Sequence, residues 1–216
     1  MDAAAYDQWY RSGHGCWIGR CEADLIAASL APRAGETLLD VGCGTGFFTR
    51  ALYPVIGGAL VGADINADWL AHARDQGARD IRYERADALA LPHRDRAFDL
   101  VTAITVIDFI EEDAAAVAEI VRVARRRVAI GLLNRNSLLW WRKGRRGGYG
   151  GYRGARWYTP GGARRLFDGL SVENVELRSA IVLPGGGRLA RWLEGLWPPW
   201  WPVGAFLLVT ADVTGP

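Results

Sequence analysis

Along the chain, short near-continuous apolar runs alternate with longer segments whose apolar residues recur at three- and four-residue spacing. The short runs read as strands buried on both faces, and the longer segments as the helices that cover them. This pattern predicts strands at Leu38 to Val41, Ala59 to Ile65, Ile81 to Ala86, Phe98 to Thr105 and Val128 to Leu133. Two more follow at Val172 to Leu183 and Ala205 to Val213. Helices are predicted at Tyr6 to Arg11, Glu22 to Leu30, from the residues after Gly46 to Pro54, Ala67 to Gln76, Ala114 to Ala124 and Leu189 to Leu196. Asn66 is placed to cap its helix and Gly77 to stop it, while Thr159 and Pro160 supply a capping hydroxyl and a first-turn proline for another. Alternating strands and helices imply right-handed crossovers and a parallel sheet covered on both sides, an α/β doubly wound, Rossmann-like fold.

The first strand ends in Asp40-Val41-Gly42-Cys43-Gly44-Thr45-Gly46 and runs into a helix. Glycines at such a turn permit φ > 0 and let a ligand approach the backbone, whose free N–H groups face the site. The spacing disfavours a diphosphate. A dinucleotide turn needs G-x-G-x-x-G, and here Phe47 stands where the third glycine belongs. Strands two and three deliver Asp64 and Asp87 to the same end of the sheet, where an open α/β fold binds its ligands.

These motifs resemble motif I and its companions in the class I S-adenosylmethionine-dependent methyltransferases, in particular the small-molecule type related to quinone biosynthesis. Tyr6-Asp7-x-Trp9-Tyr10, with Gly15 and Glu22 after it, is similar to that family's amino-terminal lid, and Tyr158-Thr159-Pro160 and Gly204 to Val209 are similar to its later segments. The resemblance implies a seven-stranded sheet of order 3-2-1-4-5-7-6 with strand seven antiparallel. It also implies S-adenosylmethionine as cofactor, cradled by Gly42, Cys43, Gly44 and Gly46. Asp64 would then bind the ribose hydroxyls and Ile65 the adenine face. Asp87, with the Ala88 backbone, would meet the adenine amine, Asp40 the cofactor's ammonium, and Ile104 and Thr105 the methionine portion. One departure falls in the lid, where Ser12-Gly13-His14 replaces the family's frequent Thr-Pro.

Composition narrows the alternatives. The 216 residues fit one domain, expected to comprise a helical lid (1–34), a cofactor-binding half (35–134) and an acceptor-side half (135–216). The apolar run from Leu196 to Val209 is too short for a membrane span and carries three prolines. With no readable signal segment and three cysteines, an odd count, a cytoplasmic location is expected. The scattered histidines and cysteines have no metal-ligand spacing, so no metal is expected. Strand four lacks the Asn/Asp-Pro-Pro-Tyr sequence of enzymes that methylate exocyclic or amide nitrogens.

In-line methyl transfer requires alignment and exclusion of water more than a catalytic side chain. Two candidate bases stand out, His14 in the lid and Asp108 after strand four. A small acceptor is expected against Tyr6, Trp9, Tyr10, Trp140, Trp141 and Arg145. The net charge is only +2, yet nine basic and no acidic residues lie between Asn134 and Phe167. That segment keeps an RNA acceptor or an anionic membrane surface open as alternatives, alongside a non-catalytic cofactor-binding module and a nicotinamide oxidoreductase.

Overall fold

The computed structural model describes residues 2–76 and 80–215, so the Gly77 helix stop lies outside the described residues. Seven strands form one sheet of order β3-β2-β1-β4-β5-β7-β6. The strands are β1 (Glu36–Val41), β2 (Gly57–Asp64), β3 (Ile81–Arg85), β4 (Phe98–Ile104), β5 (Ala124–Leu133), β6 (Val172–Ala180) and β7 (Phe206–Val213). β1 to β5 pair in parallel, and β7 runs antiparallel between β5 and β6. The helices are α1 (Ala3–Arg11), α2 (Gly13–Leu30), α3 (Phe47–Ile56), α4 (Ala67–Gln76), α5 (Asp113–Val123), α6 (Pro160–Arg165) and α7 (Arg188–Leu196).

Alternation along the central strands feeds two cores. Leu39, Val41, Val101 and Ala103 point to one face and pack with α5 and α6, whereas Leu38, Leu60, Leu100 and Ala129 point to the other and pack with α2, α3 and α4. Asn66 accepts N–H bonds from Asp68 (3.0 Å) and Trp69 (3.2 Å) and so caps α4. Thr159 does the same for Gly162 at 3.1 Å at the start of α6.

Several boundaries differ from the pattern-based expectation: α1 begins three residues early, α3 continues through Pro54 to Ile56, β1 and β2 each begin two residues early, and three further shifts have a cause in the packing. Helix α2 begins at Gly13 rather than Glu22, because Ser12 caps the Gly15 N–H and the small face of Gly19 lets Phe47 and Tyr10 pack against the helix. A Cβ at Gly19 would lie 2.6 Å from the Phe47 ring, so this glycine serves close packing rather than a loop. β5 begins at Ala124, four residues early. Its Arg125, Arg126 and Arg127 pair with Asp99, Glu36 and Asp212, which lets a run of cations sit in a strand. β6 ends at Ala180, not Leu183: Ile181 takes φ +67°, and the N–H groups of Ile181 and Val182 turn to the Glu194 carboxylate.

Candidate functional site

A cavity of about 800 Å³ lies over the carboxyl ends of β1, β2, β4 and β5, with the α1–α2 lid across it. Its floor is the glycine turn. Gly42 sits at φ +68°, and an added Cβ would lie 2.3 Å from Val106, so only glycine fits there. Gly42, Cys43 and Gly44 line the cavity. Gly46 does not: at φ +76° it opens α3 and passes under the Tyr83 hydroxyl, where a Cβ would lie at 2.5 Å.

Two carboxylates face the floor. Asp40 is 2% exposed, and its oxygens accept from Thr49 Oγ1 (2.6 Å) and Thr102 Oγ1 (2.9 Å). Burial pushes its carboxyl up to about 6 against the opposing pull of those hydroxyls. Asp64 accepts from the N–H groups of Gly44 and Asn66, each at 2.8 Å, so the acid and the glycine turn are one hydrogen-bonded unit. Ile104 and Thr105 close the wall at the end of β4. Thr105 adopts φ +52°, an uncommon conformation for a β-branched residue and one that collects at functional sites.

The lid is fastened to this floor. Asp7, buried in α1, accepts from Arg50 (2.8 Å) and Arg11 (3.0 Å), and Arg50 in turn donates to the Thr45 carbonyl of the glycine turn at 2.6 Å. Tyr10 stacks on Phe47 with ring centroids 3.8 Å apart, and Tyr6 lies 5.1 Å from Trp69. Tyr6, Trp9, Tyr10 and His14 all line the cavity, and the buried Nδ1 of His14 has no hydrogen-bond partner.

Other expected residues lie off the cavity wall. Ile65 is exposed, Asp87 accepts from the Leu89 N–H at 2.9 Å with Ala88 beside it, and Trp140, Trp141 and Arg145 face elsewhere, with Arg145 lying over the Trp141 ring. Asp108 is 1% exposed and accepts from the Leu133 N–H at 2.9 Å, its second oxygen lacking a partner. Burial pushes that carboxyl up to about 7. From the basic segment, Arg142 and Lys143 reach the rim. Trp69, Glu22 and Tyr152 also line the cavity; the lid motif included Glu22, but none of the three was expected at the site. Trp69 had a signal, standing in the first turn of the helix that follows Asp64; Tyr152 had none.

Residues 39–130 match the family model described as Methyltransferase domain. The sheet order and the acid-lined glycine turn agree with that match. The chain carries a segment similar to a methyltransferase domain and resembles the class I S-adenosylmethionine-dependent methyltransferases. It is 33% identical over 105 residues to an O-methyltransferase of Penicillium expansum, covering 46% of this chain and 38% of that protein. It is 36% identical over 100 residues to the ubiquinone/menaquinone biosynthesis C-methyltransferase of Stutzerimonas stutzeri, covering 43% and 39%. The chain thus spans under half the length of these curated relatives. A crystal structure of a methyltransferase from Thermotoga maritima shares the fold, with TM-score 0.72 at 17% identity over 98% of this chain and 96% of that one.

The cavity fits the family's cofactor on the charge of its walls. Among the described lining residues the cofactor half contributes Asp40 and Asp64 and no Lys or Arg, while the lining cations Arg142 and Lys143 are exposed and come from the acceptor-side half. A sulfonium nucleoside brings a positive charge and a ribose diol to those acids. A diphosphate would bring two negative charges to the same place.

Proposed function

We propose that the protein transfers a methyl group from S-adenosylmethionine to a small acceptor with an apolar or aromatic body. The observation that carries this reading is the continuity of one cavity. The glycine turn, Asp40 and Asp64 form one end, and Ile18, Leu133, Leu139, Ile181 and Phe206 form an apolar wall at the other. Asp64 would take the ribose hydroxyls, Asp40 the ammonium end, and Ile104 and Thr105 the methionine chain. Asp87, with Ala88 and Ile65, would meet the adenine, although none of the three lines the cavity. When bound, the sulfonium supplies an electrophilic methyl group and departs as a neutral thioether.

The chain's own residues then align and dry the site. The lid aromatics cover the floor, and the Asp7–Arg50 pair holds the lid against the turn. His14 is the base candidate within the cavity, placed to take a proton from an acceptor that arrives protonated. Asp108 serves instead to hold the end of β5 through Leu133.

Calorimetry tests the cofactor half and labelled transfer the rest. The expected outcome is S-adenosylhomocysteine binding without NAD binding, and methyl transfer to one class in a panel of phenols, thiols, amines and carboxylic acids. Asp64→Ala should weaken S-adenosylhomocysteine by about 1–3 kcal/mol, roughly 5- to 150-fold, through loss of charge-assisted hydrogen bonds. Cofactor binding with no transfer to any class would favour a non-catalytic module. An unchanged affinity in Asp64→Ala would place the ribose elsewhere.

A further inference from the structure

Glu22, on the third turn of α2, puts a carboxylate into the cavity far from the glycine turn in sequence and with no hydrogen bond or ion pair to the protein among the described residues. Glu22 is half-buried, and a carboxylate drawn partly out of water without a partner is costly. Three phenol rings share its surroundings: Tyr6 and Tyr10 from α1, whose hydroxyls are 3.2 Å apart, and Tyr152 from the turn at Gly150–Tyr152. From α7, Glu194 adds a second negative charge, anchored by the Ile181 and Val182 N–H groups.

Among the described residues, no cation pairs with either acid. Arg142 and Lys143 are exposed at the rim, and Arg191 lies over the Trp17 ring and donates to the Gly13 carbonyl at 3.0 Å. Of the remaining titratable neighbours, His14 lines the same cavity and the Cys21 thiol is pushed up to about 11, chiefly by burial. Aromatic faces attract cations, most strongly when both are shielded from water. A carboxylate or phenolate acceptor would meet like charge here; an ammonium would meet a counter-ion and three neighbouring phenol groups.

We propose that the acceptor end of the cavity binds a protonated amine, with Glu22 as its counter-ion and Tyr6, Tyr10 and Tyr152 around it. This rests on the reading of the cavity as a methyl-transfer site. Burial, reinforced by Glu194, holds the Glu22 carboxyl up to about 8 in the free protein. The amine therefore displaces a proton when it binds below that pH. Its affinity rises by up to tenfold per pH unit from 6 towards 8 and falls again once the amine itself deprotonates.

The test titrates the full chain, with and without S-adenosylhomocysteine, with three probes of similar shape: phenethylamine, 2-phenylethanol and 3-phenylpropanoate. The amine should bind at least tenfold more tightly than the other two at pH 8. Glu22→Gln should remove that preference and flatten the amine's pH profile, whereas Glu22→Asp should keep the profile. Both variants should hold S-adenosylhomocysteine as wild type does, which shows that they fold.

Equal binding of the three probes, preference for the alcohol or carboxylate, or no binding of any probe overturns the proposal. So does a Glu22→Gln variant that loses all three alike, or one that weakens S-adenosylmethionine but not S-adenosylhomocysteine, since Glu22 would then serve the sulfonium. A wild-type chain that prefers the amine yet ignores S-adenosylhomocysteine would sink the methyl-transfer reading and leave the amine site standing.

Discussion

Asp108 shows how one buried acid can carry a measurable signature. An unfolded Asp ionises near 3.9, whereas the folded carboxyl is raised to about 7. Between those values the native state holds the proton that the unfolded chain releases, so the stability this group lends is complete below about pH 4 and is lost as pH rises through 7. The loss is of order 4 kcal/mol. Asp108→Asn keeps an oxygen for the Leu133 N–H and removes the titration. In urea melts the variant should therefore gain on wild type between pH 5 and pH 8, and parallel curves would show that the carboxyl is not raised. Residues like Asp40, Gly42, Gly44 and Asp64 were legible in the sequence because local spacing along a strand and its turn places them. The entry of Glu22 and Tyr152 into the cavity and the retreat of Asp108 from it were not. Their positions follow from how α2, the 140–152 segment and the end of β5 pack on elements remote in the chain.

Among elements, the lid helix α1 is held by the Tyr10–Phe47 and Tyr6–Trp69 ring contacts and, through Asp7, by one buried charge. Asp7 is 4% exposed and takes both Arg50 and Arg11, and Arg50 bridges onward to Thr45 in the glycine turn. Asp7→Asn keeps the size and loses the charge. We expect about 1–3 kcal/mol of destabilisation together with faster release of S-adenosylhomocysteine in stopped-flow chase experiments. Lower stability with unchanged release would mean that α1 does not gate the cofactor. Element types were readable from apolar period, and every strand expected from it is present. Three of the boundaries that moved did so for tertiary reasons: Gly19 accommodates Phe47 inside a helix, three arginines enter β5 on the strength of their ion pairs, and Glu194 pulls Ile181 and Val182 out of β6.

At the scale of the whole molecule, β1, β4 and β5 are flanked on both sides in the sheet and buried on both faces, whereas β3 and β6 are its edges. Amide hydrogen exchange should follow that order, slowest in β1, β4 and β5 and fastest in β3 and β6. Equal protection at β3 would mean that the edge is covered in solution. No helix among the described residues is long and apolar enough to cross a membrane. The antiparallel insertion of β7 has a consequence for biosynthesis. Until residues 206–213 leave the ribosome, β5 has an open flank from Arg127 to Leu133, and the wall formed by Ala205 and Phe206 does not exist. A nascent chain carries an unpaired, strongly apolar ladder of the kind that invites association with other chains. The last strand to emerge is thus the one that both seals the sheet and finishes the acceptor chamber.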